Sequence, residues 1–314
     1  MAKYLVTGGA GFIGSHLVEA ILERGDFVRL LDNFSTGKRE TIELFGSNVE
    51  IIEGDIRSYQ IVRQAVKGID YVLHQGALPS VPRSLKDPIT TNEVNVSGTL
   101  NILEAARDAC VSRVVFASSS SVYGSSPKLP KQEDMLPQPI SPYAVSKLAG
   151  ERYCQVFTKT YGLETVALRY FNVFGPRQDP QSTYAAFIPK FVRGIMDGSP
   201  LVIDGDGRQS RDFTYIKNVV KANLLATKVE GIAGRVFNVA GGVSLSVNDV
   251  VNHICEVTGQ KGNLSYGEVR VGDVSHSMAD VHLAEQLMGY RPEISAREGL
   301  NEVVNWFRQR TESS

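Results

Sequence analysis

The chain has 314 residues, with 33 Lys and Arg against 34 Asp and Glu, a formal net charge of −1 and 42% hydrophobic residues. This balance excludes the basic surface that nucleic acid or an anionic membrane would attract, and no apolar stretch reaches the roughly 20 residues that span a bilayer. Cys110, Cys154 and Cys255 are far apart and lack Cys-x-x-Cys spacing, which excludes a disulfide framework and a zinc site and predicts reduced thiols in a cytoplasmic compartment.

In chain order, short β-like runs alternate with helical patterns, the signature of a parallel sheet with crossover helices. YLVT (4–7) predicts the first strand. A glycine turn follows, and HLVEAILERG (16–25) repeats apolar residues at helical spacing, with Gly25 where a C-cap falls. FVRLLD (27–32), VEIIEGD (49–55) and YVLHQGA (71–77) predict the next three strands. A helix from about Asn95 to Cys110 precedes VSRVVFASS (111–119). The next helix starts near Pro142, with Ser141 as cap and proline in the first turn. ETVALRYFNVFG (164–175) predicts a strand running into a loop. After Pro176 the texture becomes turn-rich and charged, as in IDGDGRQSRDF (203–213). We read 1–175 as a dinucleotide-binding domain and 176–314 as a smaller substrate lobe, with RVFNVAG (235–241) returning to the main sheet.

In TGGAGFIG, Gly8, Gly11 and Gly14 are spaced GxxGxxG, flank Phe12 and Ile13, and lie between a strand and a helix. Without Cβ atoms such a loop turns tightly, lets backbone approach a pyrophosphate and packs its helix closely. The phosphates would sit at the helix N-terminus, where free N–H groups favour anions. Glycine turns alone are common. Here Asp32 ends the next strand, where a carboxylate accepts both ribose hydroxyls and repels a 2′-phosphate, so we expect NAD rather than NADP. Lys38 and Arg39 are the nearby charges that pull the other way. Asn33, Asp55 and Ile56 would flank the adenosine, and Gln75 and Ala77 would run along the cofactor at the carboxyl ends of the strands.

SPYAVSKLAGE sets Tyr143 and Lys147 four apart, on one helix face. Alone, such a pair is ordinary helix surface. Beside a dinucleotide, an ammonium would favour the phenolate and lower the tyrosine pKa from about 10. That makes Tyr143 a general base for a hydroxyl being oxidised.

The set TGGAGFIG, Asp32, NVSGT, SSSxxYG, YxxxK and LRYFNVFGPRQ resembles the extended short-chain dehydrogenase/reductase family over nearly the whole chain, and most of all its nucleotide-sugar 4-epimerases. The resemblance implies a Rossmann-type doubly wound parallel sheet with a smaller C-terminal α/β substrate lobe, NAD as cofactor, and a homodimer formed through two helices per subunit. It implies Ser119, Tyr143 and Lys147 as the catalytic set. Asn95, Tyr143 and Lys147 would also hold the cofactor. Dehydratases of the family carry an Asp-Glu pair after the catalytic Ser/Thr and decarboxylases a Glu at the second position. Here Ser120 and Ser121 stand there, which leaves epimerisation through a transient 4-keto sugar.

For the substrate, the resemblance implies Asn172 at the diphosphate or sugar, and Ala186, Lys190, Val202 and Asp204 around the uridine. Arg211 and Arg270 would clamp the diphosphate, and Asp273 would bond the ribose. Ser277 falls where a bulky tyrosine restricts epimerases to plain hexoses, so a 2-acetamido sugar is expected to fit, with the plain hexose as a further substrate. Two alternatives stay open: a uronic acid 4-epimerase, with His276 or a pocket arginine on the 6-carboxylate, and a non-catalytic NAD-binding regulator of the same fold.

Overall fold

The computed structural model describes residues 1–180, 187–268 and 276–312. Seven strands form the central sheet: β1 (Lys3–Thr7), β2 (Phe27–Asp32), β3 (Val49–Glu53), β4 (Tyr71–His74), β5 (Arg113–Ser119), β6 (Glu164–Tyr170) and β7 (Arg235–Val239). Their order is β7-β6-β5-β4-β1-β2-β3, and every neighbouring pair is parallel. The chain order reverses between β1 and β4, where ligands bind in open parallel sheets.

The apolar runs arise because both faces are covered, so successive side chains are buried on opposite sides. Leu5, Val72 and Val114 meet one face's core with Val62, Ile102 and Leu103. Val6, Leu73 and Val115 meet the other with Leu17, Ile21, Val219 and Ala222. The first face carries α2 (Tyr59–Val66), α3 (Gly98–Asp108) and α4 (Pro142–Tyr161); the second carries α1 (Phe12–Glu23) and α6 (Ile216–Lys228). Burying a leucine of this kind contributes about 1.5–3 kcal/mol before entropy is counted.

Beyond the sheet lie α5 (Phe187–Asp197), α7 (Val247–Thr258), α8 (His282–Met288) and α9 (Ala296–Glu312). Two small strand pairs join them, Leu201–Asp204 with Leu264–Gly267 and Ser210–Asp212 with Ser244–Ser246. Ser246 and Asp249 close a reciprocal capping box on α7.

Three boundaries differ from the sequence expectations. α1 begins at Phe12, four residues before His16, because the glycine loop feeds straight into it. The helix expected from Asn95 is preceded by Pro88–Asn92 and a π turn over Glu93–Ser97, which runs into α3. The strand expected over 164–175 breaks after Tyr170. Asn172 takes a φ of +33°, and Val173–Phe174 leaves the sheet to pair with Thr214–Tyr215.

Candidate active site

The floor of the site is backbone. Gly8 has a φ of +67°, and a Cβ there would lie 2.8 Å from the Gly76 nitrogen. A Cβ on Gly14 would sit 2.1 Å from the Gly8 carbonyl oxygen and 2.7 Å from Gly9 Cα. Only glycine lets the first turn of α1 approach its own loop this closely. The Gly11 N–H donates to the Gly8 carbonyl at 3.1 Å, completing the turn.

Asp32, buried at the end of β2, accepts the Ala10 N–H on Oδ2 at 2.9 Å and the Phe34 N–H on Oδ1 at 2.8 Å. Each oxygen keeps lone-pair capacity for a ribose hydroxyl. Burial raises its pKa, while backbone donors oppose the shift. Asn33 Nδ2 donates to Asp55 Oδ2 at 2.9 Å, and Arg57 also holds that carboxylate, which lowers its pKa.

Gly8, Gly11, Phe12, Ile13, Gly14, Asp32, Asn33, Asp55, Ile56, Gln75, Ala77, Tyr143 and Lys147 all line one cavity of about 460 Å³. Glycine cradle, carboxylate and cavity together fit an adenine dinucleotide.

Asn95 is the exception among the expected cofactor residues, because it does not line that cavity. From the π turn its Oδ1 accepts the Leu78 N–H at 2.8 Å, and its Nδ2 donates to Ser146 Oγ at 3.0 Å. It therefore positions the cavity wall from behind. Beneath it, Thr99 Oγ donates to the Asn95 carbonyl at 2.6 Å, so His74 Nε2 must carry the proton it gives to Thr99 at 3.0 Å. His74 Nδ1 then accepts from Thr7 at 2.7 Å, and Thr7 Oγ accepts the Gly76 N–H at 3.0 Å. The neutral ring orients both loop ends, and burial pushes its pKa down to about 3.

Ser141 caps α4 by accepting the Ala144 N–H at 3.2 Å. One turn in, Lys147 is 5% exposed and donates from Nζ to the Ala117 carbonyl at 2.8 Å. Its ammonium lies 5.9 Å from the Tyr143 ring centre, and burial pulls its pKa down to about 8. Burial raises the Tyr143 pKa, and a hydrogen bond with the Ser119 hydroxyl works against that rise. In the protein alone, desolvation dominates the phenol.

The four serines divide. Ser118 Oγ donates to buried Glu151 at 2.5 Å, and Glu151 forms a two-point pair with Arg169 at 2.8 Å on each side. Ser119 faces Tyr143 and accepts the Ser121 N–H at 3.2 Å. Ser120 opens the short helical turn Ser120–Tyr123, and the Ser121 hydroxyl is buried without a partner among the described residues.

The expected substrate residues are spread wider. Asn172 Nδ2 donates to the Asp212 carbonyl at 3.0 Å, tying the end of the sheet to the strand Ser210–Asp212 that carries Arg211. The Ser277 N–H donates to the Ser210 carbonyl at 3.0 Å, and the Ser277 hydroxyl is likewise buried without a partner among the described residues. The exposed His276 reaches Ser210 Oγ through Nδ1 at 2.9 Å. Lys190 on α5, and Val202 and Asp204 on Leu201–Asp204, stand in the outer lobe away from the cofactor cavity. Ala186, Arg270 and Asp273 lie outside the described residues.

The sequence reading missed Tyr170, Val173, Gln178 and Asp179, which also line the cavity. Tyr170 accepts from Asn223 Nδ2 at 2.8 Å, a contact across 53 residues. Three of the four, Tyr170, Val173 and Gln178, lie within the LRYFNVFGPRQ run that also holds Asn172.

Among the described residues no group of His, Cys, Asp or Glu could hold a metal ion, and no helix is long and apolar enough to cross a membrane. The model of the NAD dependent epimerase/dehydratase family matches residues 4–240. A putative UDP-glucose 4-epimerase of Methanocaldococcus jannaschii is 39% identical over 97% of this chain and 98% of its own. The structure of a UDP-N-acetylglucosamine 4-epimerase from Methanobrevibacter ruminantium, in complex with UDP-N-acetylmuramic acid, is 41% identical with a TM-score of 0.94, covering 98% of this chain and 99% of that one. That of a UDP-glucuronic acid 4-epimerase from Bacillus cereus, in complex with UDP-glucuronic acid and NAD, is 33% identical with a TM-score of 0.90, covering 98% and 99%.

Proposed function

The chain belongs to the NAD dependent epimerase/dehydratase family, and from that premise we propose that it is a UDP-sugar 4-epimerase that accepts the 2-acetamido sugars UDP-N-acetylglucosamine and UDP-N-acetylgalactosamine, with UDP-glucose and UDP-galactose as further substrates. The observation that carries the acetylated preference is Ser277. Its small side chain ends in a buried hydroxyl with no partner among the described residues, and a desolvated hydroxyl of this kind gains by meeting a polar substrate group.

When bound, NAD accepts the C4 hydride and returns it to the opposite face of the keto sugar. The protein's part is proton handling and orientation. Tyr143 removes the 4-hydroxyl proton, directly or through Ser119, and gives it back after the sugar has turned. Lys147, fixed to the Ala117 carbonyl by one donor, has two N–H donors left for the cofactor ribose, and its positive charge favours the phenolate. Asp32 takes the adenosine ribose and the α1 N-terminus the pyrophosphate. Arg211 and Asn172 hold the substrate diphosphate and sugar. Ser120 and Ser121 offer hydroxyls rather than the acid and base that removing water would need.

In this reading 1–175 with 235–241 would serve mainly the cofactor and 176–314 mainly the UDP-sugar, with Gln178 and Asp179 reaching across to line the cofactor cavity. Leu85, Ile89, Val145 and Val156 are each roughly half or more exposed on helical segments flanking the site, which supports pairing of two copies through these helices. The three cysteines are unbridged, in keeping with a reducing compartment.

Replacing Ser277 with tyrosine tests the substrate claim. Ser277→Tyr should lose turnover of UDP-N-acetylglucosamine by at least about ten-fold, the scale of a steric mismatch in a pocket, while UDP-glucose turnover is spared. Unchanged turnover of the acetylated sugar would reject it. The uronate reading draws support from the likeness to the Bacillus cereus enzyme. Inversion of UDP-glucuronic acid in preference to both other sugars would favour it.

A further inference from the structure

The segment Pro176–Pro180 crosses from the end of the sheet to the rim of the cofactor cavity, and the proton-transfer scheme does not use it. It is tied to the dinucleotide-binding half at two separate places. On the inner side the Pro176 carbonyl accepts from His16 Nε2 at 2.9 Å, so His16 Nδ1 is left as the acceptor for Arg177 Nη2 at 2.5 Å. The same guanidinium donates to Glu19 at 2.5 Å, and its side chain is 11% exposed. His16 and Glu19 both lie on α1, the helix whose N-terminus faces the cavity.

Arg177 has a φ of +67°, a conformation that a non-glycine residue keeps only where the surroundings enforce it. Its part-buried contacts to His16 and Glu19 on α1 supply that enforcement. On the outer side Lys38 Nζ meets Asp179 Oδ2 at 3.0 Å. Lys38 is itself anchored, its N–H donating to the Ala10 carbonyl at 3.2 Å, and Ala10 donates to Asp32. Gln178 and Asp179 line the cofactor cavity, and both also line a neighbouring cavity of about 430 Å³. The segment is thus the wall between the dinucleotide site and its surroundings.

Building on the NAD-binding reading, we infer that Pro176–Pro180 is a clasp that slows NAD release, hinged at Arg177 on α1 and caught at the rim by the Lys38–Asp179 pair. Such a clasp suits a reaction with no net redox change, in which the same cofactor is used again in every cycle. Its residues position the cofactor rather than react.

The test is the NAD dissociation rate of purified holoenzyme, followed by dilution into buffer with an NAD scavenger and quantification of nucleotide still bound. Asp179→Asn should speed release about two- to five-fold, the scale of one exposed ion pair. The double exchange Lys38→Asp with Asp179→Lys should return release to within about two-fold of the parent. Arg177→Gln, which loses the buried hinge, should speed it about ten-fold, with its melting temperature recorded to show that it has folded. Raising salt should speed release from the parent more than from Asp179→Asn, because only the parent has the pair to screen. Parent-like release in both Asp179→Asn and Arg177→Gln would overturn the clasp. A parent that retains no NAD at all would overturn the cofactor reading beneath it.

Discussion

The floor of the cofactor cavity and the patch proposed to meet the sugar, Ser121 and Ser277, are built in opposite ways. On the floor nearly every polar group already has a protein partner. Asp32 is held by two backbone donors, His74 by two threonines, Asn95 by Leu78 and Ser146, and the glycines leave no room for a Cβ. By contrast, the Ser121 and Ser277 hydroxyls are buried and have no partner among the described residues. A satisfied network fixes one shape and serves one ligand. Unpaired buried hydroxyls cost stability until a ligand meets them, so in the proposed function they would carry selectivity. Changes to the floor should therefore affect every sugar alike, and changes to the patch should separate one sugar from another.

The largest expected effect is at the junction of the two. Tyr143→Phe should lower kcat about 10²–10⁴-fold for every UDP-sugar tested, with NAD content unchanged. A loss confined to one sugar would move Tyr143 from common machinery to the patch. Next comes Gly14→Val, whose Cβ would fall 2.1 Å from the Gly8 oxygen. Overpacking of this kind costs about 1–3 kcal/mol, and NAD titration should show affinity weakened by about ten- to a hundred-fold while the sugar ranking is kept. Parent-like affinity would mean that the loop yields and the floor is less rigid than described.

A further effect, read in stability rather than affinity, tests the contrast from the other side, because one floor residue is poorly placed for stability. Burial holds Lys147 at about 8 in the folded protein, below the ordinary lysine value of about 10.4. The folded state therefore binds the proton less well, and the parent should gain stability as pH rises from about 8 to 10.5. Lys147→Met should be more stable than the parent at pH 7 by on the order of 2–3 kcal/mol and show no such rise, while turnover is lost. Denaturant melts at pH 7 and pH 10 check both statements. A less stable variant would show that the bond to Ala117 outweighs the desolvation.

This contrast also explains what could be read from the sequence. The floor is local: the glycine spacing, the strand Phe27–Asp32 with its terminal carboxylate and the Tyr143–Lys147 spacing each lie within a short window, and the structure brings them into one cavity. β7 was visible because Val236, Phe237 and Val239, the last two buried, read as a short apolar run. The patch is made by tertiary contacts. Ser277 reaches its place through Ser210, a partner far along the chain, and no periodicity announces that. The exact end of the strand expected to run into a loop over 164–175 was not legible, because the single left-handed residue Asn172 leaves no trace in an apolar pattern. Asn95, expected to support the cofactor side, holds Leu78 of the cavity wall from a π turn whose register helical spacing does not reveal.

The central claim is inversion at C4 by removal and return of the same hydrogen. UDP-N-acetylglucosamine carrying deuterium at C4, incubated with the purified protein and no added reductant, tests this directly by NMR. The account predicts UDP-N-acetylgalactosamine that keeps its deuterium at C4. Failure to invert C4, or an inverted product with its label lost to water, would contradict it.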